Sequence, residues 1–147
     1  MCGIAGIMVK KDGDLGEALF KMLYEIRHRG CDATGTSLYL DQPRDYVEAR
    51  VSLLDPAEDL PLLRSIAAHL KKPCAALDDF DGVFSFLAAT ETHIGAVRDR
   101  LGIKPILFYQ SDDLLLLGSE QVSFEAVNRD IYATEMAPGE VRLWSKN

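Results

Sequence analysis

Residues 83–118 read VFSFLAATETHIGAVRDRLGIKPILFYQSDDLLLLG, and their punctuation predicts two hairpins. Val83 to Ala88 and His93 to Val97 are short apolar segments on either side of Thr90-Glu91-Thr92. Ile106 to Tyr109 and Leu114 to Gly118 flank Ser111-Asp112-Asp113 in the same way. Short apolar runs joined by a few polar residues favour adjacent antiparallel strands. A further strand, Val141 to Trp144, follows the turn pair Pro138-Gly139.

Outward from these hairpins the pattern changes period. Leu62, Leu63, Ile66, Ala67 and Leu70 mark a helix stopped by Lys71-Lys72-Pro73. Thr36 to Leu40 and Val47 to Leu54 predict strands around Asp41-Gln42-Pro43. Near the start, Leu15, Ala18, Leu19, Met22, Leu23 and Ile26 fall on one helical face. Asp14 with Glu17 has the form of a capping box. Arg27-His28-Arg29-Gly30 supplies cations at the helix C-terminus and a glycine for the left-handed exit. Ile4 to Val9 precedes this helix as a short apolar strand. The order strand, helix, strands, helix, hairpins predicts an α+β fold with largely antiparallel sheets. A chain of 147 residues fits one domain, 1–147, large enough for its own core.

Composition narrows the function. The chain is 48% hydrophobic and 27% charged, with a net charge of −7. That balance is globular, and its acidic sign argues against nucleic acid or an anionic membrane as partner. The longest aliphatic run, Leu114 to Leu117, is far short of the roughly 20 residues of a membrane-spanning helix. The start, Met1-Cys2-Gly3-Ile4, lacks the basic and long apolar regions of a signal peptide, so a cytoplasmic location is expected. Cys2, Cys31 and Cys74 are odd in number and widely spaced, which suits neither a disulfide framework nor a zinc site. Cys31 and Cys74 are read as structural or incidental. His28, His69 and His93 stand apart in the sequence and are read as surface or packed residues. No cofactor or metal is implied.

Cys2 is different because of its position. Removal of the initiator methionine would leave it as the mature N-terminus, with a thiol and a free α-amine on one residue. Such an amine titrates near about 7.7–8.0, so it can serve as the base that activates the thiol. Gly3 and Gly6 permit close approach of another backbone or a substrate. The competing reading makes Cys2 merely the first residue of a buried strand.

Met1-Cys2-Gly3-Ile4-Ala5-Gly6-Ile7 followed by Arg27-His28-Arg29-Gly30-Cys31-Asp32-Ala33-Thr34-Gly35 resembles the class II glutamine amidotransferase domain, an N-terminal-nucleophile hydrolase. Asp81-Gly82-Val83-Phe84-Ser85-Phe86 resembles that family's DGxFAF strand. Arg98-Asp99-Arg100-Leu101-Gly102-Ile103-Lys104-Pro105-Ile106 resembles its RDRxGIKPL loop, Gly118-Ser119-Glu120 its ASE, and Met136-Ala137-Pro138-Gly139-Glu140 its closing PGE turn. The wording is nearest the glutamine-dependent asparagine synthetase branch, although Cys31 stands where that branch has proline.

The resemblance implies a shortened four-layer αββα sandwich in which Cys2 attacks the side-chain amide of glutamine. It also implies that ammonia passes to a synthetase domain or subunit in trans. Arg50-Val51-Ser52-Leu53-Leu54-Asp55 resembles the branch's RLSIxD segment. On that likeness Arg50 holds the α-carboxylate of glutamine, and Val51, Ser52, Leu53 and Leu54 line the site. A guanidinium fork suits a carboxylate. Arg98, Asp99 and Arg100 are expected to be structural, with Gly102 and Pro105 shaping their loop.

The sequence also departs from the family. Its asparagines are Asn128 and Asn147, and no Asn-Gly pair occurs, whereas the family builds its oxyanion hole from one. The loss of one oxyanion donor typically costs about 10²–10³ in rate. Two readings therefore stand: a glutamine-hydrolysing domain, and a non-hydrolysing paralogue with a binding or regulatory role.

Overall fold

Four consecutive leucines can occupy a strand only if both of its faces are covered, and that is where the chain puts them. The computed structural model describes residues 2–10, 15–29, 82–90 and 92–146. In it β5 (Leu114–Gly118) is an inner strand, flanked by β1 (Ala5–Val9) and β4 (Leu107–Gln110), with the two-residue β6 (Thr134–Glu135) beyond β4. A second sheet has the order β2 (Ser85–Ala89), β3 (His93–Arg98), β7 (Val141–Ser145). Every pairing in both sheets is antiparallel.

Side chains alternate between faces along each strand, and the two apolar clusters follow that alternation. Leu115 and Leu117 join Ile94, Ala96, Ile106, Met136 and Trp144 in one cluster, with Ile4, Met8, Leu87 and Phe108 packed on it. These residues come from both sheets and form the inter-sheet core. Leu116 instead joins Met22, Phe124 and Ile131, with Ala5, Ile7, Leu107 and Tyr109 alongside. This second cluster lies under α1 (Leu15–Glu25) and the short helix α2 (Gln121–Glu125). Burial of each large aliphatic side chain contributes about 1.5–3 kcal/mol. The result is helices on sheet on sheet, an α+β arrangement with antiparallel sheets. Of the expected four layers, three are seen among the described residues.

Both expected hairpins form. The first is closed by the Thr90 amide donating to the His93 carbonyl at 2.8 Å, the second by the Ser111 amide donating to Leu114 at 2.8 Å. α1 places Met22 inward and leaves Phe20 and Tyr24 exposed, and Ile26, just past its end, is buried. It ends as expected in cations, which bond its last carbonyls. Arg27 donates to the Tyr24 carbonyl at 2.6 Å, and His28 Nδ1 lies 3.0 Å from that of Glu25. A 3₁₀ turn, Arg27–Arg29, follows. The strands expected at 36–40 and 47–54, the helix at 62–70 and the cap at Asp14 lie outside the described residues.

In the loop 98–106, Arg98 and Asp99 make the structural contacts expected of them. Arg98 and Asp99 are buried. The Arg98 guanidinium bonds the carbonyls of Met136 and Gly102 and pairs with Glu135 at 2.7 Å. The Asp99 carboxylate accepts the Leu101 amide at 2.9 Å, and its carbonyl accepts the Gly139 amide at 2.9 Å. Gly139 has φ +73°. With Pro138 before it, that value makes a type II turn, which needs a positive φ at its third residue. Loop and turn thus lock together beneath β3 and β7.

Candidate functional site

The chain preceding β1 leaves the regular ladder at Ala5, which pairs with Gly118. What holds residues 2–4 is a set of contacts from two distant segments. The Ser119 amide donates to the Ile4 carbonyl at 3.1 Å, and the Ile4 amide donates to the Ser119 hydroxyl at 2.9 Å. Ser119 therefore carries the pairing one residue past the strand. Gly3 lies against the end of α1, so close that a Cβ there would meet the Ile26 carbonyl at 3.2 Å and its side chain at 3.1 Å.

Cys2 comes next, a free and exposed cysteine. Its exposure removes the reading in which it opens a buried strand. Its carbonyl receives Arg29 Nε across 3.4 Å. The same guanidinium pairs through Nη1 with Glu120 Oε1. The other carboxylate oxygen, Oε2, lies 3.1 Å from His28 Nε2. Glu120 is the residue that precedes α2, yet its side chain makes no cap bond to that helix. Its carbonyl does accept from Ser123, both from the amide at 3.2 Å and from the hydroxyl at 2.7 Å.

Three stretches singled out in the sequence therefore meet at one place: Cys2-Gly3-Ile4, Arg27-His28-Arg29 and Gly118-Ser119-Glu120. Of the expected site residues, only Cys2 falls among the described residues. Arg50, Val51, Ser52, Leu53 and Leu54 lie outside them, as do Cys31, Cys74 and His69. The residues that sequence reasoning left unassigned are Arg29, Ser119 and Glu120. His28, read there as a surface or packed residue, stands 59% exposed in its side chain beside Glu120. The signal for Ser119 and Glu120 lay in their motif, but nothing in the sequence said that they would meet a segment 91 positions away.

His93 makes a local pair instead, its Nδ1 lying 2.8 Å from the Thr92 hydroxyl. Among the described residues no group of three or more His, Cys, Asp and Glu is arranged to hold a metal ion. No helix among them is long and apolar enough to cross a membrane.

Comparison with known proteins points the same way as the motifs. Residues 55–126 match a family model described as a glutamine amidotransferase domain. That span includes Ser119 and Glu120 and excludes Cys2, Arg29 and Arg50. A protein of Methanothermobacter thermautotrophicus, provisionally named a glutamine amidotransferase, is 32% identical over 69 residues, covering 47% of this chain and 23% of its own length. The glutamine amidotransferase-like protein GlxB of Rhizobium meliloti is 42% identical over 45 residues, 31% of this chain and 15% of its own. Each match spans less than a quarter of the relative's length. On these matches, residues 55–126 resemble a glutamine amidotransferase domain.

Proposed function

We propose that this chain hydrolyses glutamine, with Cys2 as an N-terminal nucleophile. The observation that carries the reading is the exposed Cys2 thiol on a tethered backbone, in a chain whose residues 55–126 match a glutamine amidotransferase model. With the initiator methionine removed, the Cys2 amine takes the thiol proton. The sulfur attacks the side-chain amide carbon, and the C–N bond breaks as ammonia leaves with that proton, giving a thioester. Water then cleaves the C–S bond, releasing glutamate and restoring the thiol. Arg50 is the clamp for the glutamine α-carboxylate, and Val51, Ser52, Leu53 and Leu54 complete the site. The ammonia goes to a synthetase in trans or to a further part of the same polypeptide. The class II affinity, the asparagine synthetase-like branch and the full αββα sandwich belong to this proposal. So does the cytoplasmic location.

The test is release of glutamate from glutamine, read together with intact mass. The native protein is expected to lack Met1 and to produce glutamate, while Cys2→Ala produces none. A glutamine-analogue electrophile is expected to add once, at Cys2. One observation favours a second reading: the sequence holds no Asn-Gly pair for an oxyanion hole. A non-hydrolysing paralogue with a binding or regulatory role would release glutamate no faster than Cys2→Ala.

A further inference from the structure

We infer that Glu120 is a positioning residue for the Cys2 nucleophile, acting through Arg29. This rests on the glutaminase reading and adds a device to it.

Cys2 lies beyond the last bond of the β1 ladder, and terminal residues fray unless something ties them down. Ser119 fixes Ile4, which leaves two residues of chain to hold. The tie that reaches Cys2 itself is Arg29 Nε, at its carbonyl. A guanidinium group at the end of a long side chain holds a carbonyl in place only if the group is itself held. Here Glu120 performs that task by engaging Nη1, on the other side of the fork. The arginine side chain is only 9% exposed and that of its carboxylate partner 29%, so the pair is shielded from solvent more than an ordinary surface pair. A lysine ammonium lacks the rigid planar fork that sets Nε and Nη1 donors at fixed, separated positions.

The sequence around Glu120 supports this assignment. A residue at a helix start commonly turns its side-chain oxygen to the helix's first free amides, but Glu120 does not. Its two carboxylate oxygens face the 3₁₀ turn, one toward Arg29 and the other toward His28. That turn follows α1 and is closed by the Arg29 amide donating to the Ile26 carbonyl at 3.0 Å. The carboxylate thus joins the end of β5 to the end of α1, and Cys2 is supported where the two meet.

A nucleophile misplaced by about 1 Å can lose about 10²-fold in rate. Glu120→Ala in the full chain is therefore expected to lower kcat for glutamine hydrolysis at least about tenfold, with KM little changed because the residue touches no substrate. Glu120→Gln keeps an oxygen for Arg29 and is expected to fall between. Arg29→Ala should resemble Glu120→Ala, and the double variant should be no worse than either single one, because the two act as a unit. Melting temperatures of all variants are measured alongside, and mass-resolved hydrogen exchange should show faster exchange in residues 2–6 of Glu120→Ala.

The outcomes separate cleanly. If the native protein makes no glutamate, the functional reading falls and the positioning role of Glu120 falls with it. If the native protein is active and Glu120→Ala keeps its kcat, or the two losses simply add, the positioning role falls and the functional reading stands. If Glu120→Ala does not fold, Glu120→Gln decides. Loss of the fold in both would make the pair purely structural and overturn the inference.

Discussion

Gly3 shows how little room the chain leaves around the candidate nucleophile. A methyl group at this position would meet three atoms of Ile26, at 3.1, 3.2 and 3.3 Å. One of the three atoms is a backbone carbonyl, which cannot swing away as a side chain would. Gly3→Ala must therefore move the 2–4 segment off α1 by a few tenths of an ångström. The expected outcome is a several-fold drop in kcat for glutamine hydrolysis with a melting temperature within a few degrees of the native one, read by steady-state assay and thermal unfolding. The magnitude follows from the sensitivity of covalent catalysis to small displacements. A native kcat in the alanine variant would mean that the segment tolerates the shift. At this scale the sequence said much about Cys2, which its second position and the motif it opens single out. It said little about what surrounds Cys2, because folding brings together Arg29, read as a helix-end cation, and Glu120, read only as part of its motif.

The elements were legible to the degree that their periods were long enough to see. α1 carries six apolar positions on one face, and each strand of the two hairpins is bounded by polar turns, so both kinds of element are found within a residue or two of their expected ends. α2 was not foreseen: five residues make too short a helix to display a period, and Glu120 is not among the residues that commonly mark a helix start. β6 is two residues long and has no pattern at all. The four leucines of β5 are the opposite case, where a run without alternation still encodes two faces. Leu116 lies under the helices and Leu117 between the sheets, both fully buried. Truncation of either to alanine is expected to cost about 2–5 kcal/mol in urea unfolding. Hydrogen exchange should tell them apart: Leu116→Ala should speed exchange in α1 and α2, Leu117→Ala in β2 and β3. Equal patterns in the two variants would contradict the alternating assignment.

For the molecule as a whole, the question is what couples one sheet to the other besides apolar contact. Trp144 of β7 donates its indole N–H to Gln110 of β4 at 3.0 Å, and its ring lies 5.7 Å from that of Phe108. Arg142 of β7 places its guanidinium over the same Phe108 ring, 4.1 Å from the centroid. Arg142 is held in turn by Glu140, whose other oxygen accepts the Ala137 amide at 2.6 Å across the turn. Burial works to raise the Glu140 pKa, but the hydrogen bonds from Arg142 and Ala137 and the arginine's charge outweigh it, and the net shift is downward from the ordinary 4.5. A carboxylate with a lowered folded pKa adds stability that is present above its unfolded value and disappears as pH falls through the folded one. Glu140→Gln should therefore lower the unfolding free energy read by urea titration at neutral pH, by an amount typical of partly exposed ion pairs, about 1 kcal/mol or less. The gap between native protein and variant should then close as pH drops below 4.5. Urea titrations at a series of pH values measure this directly. A gap that stays constant into acid would mean that Glu140 acts through its shape rather than its charge, and that the link from Glu140 through Arg142 to Phe108 does not depend on ionisation.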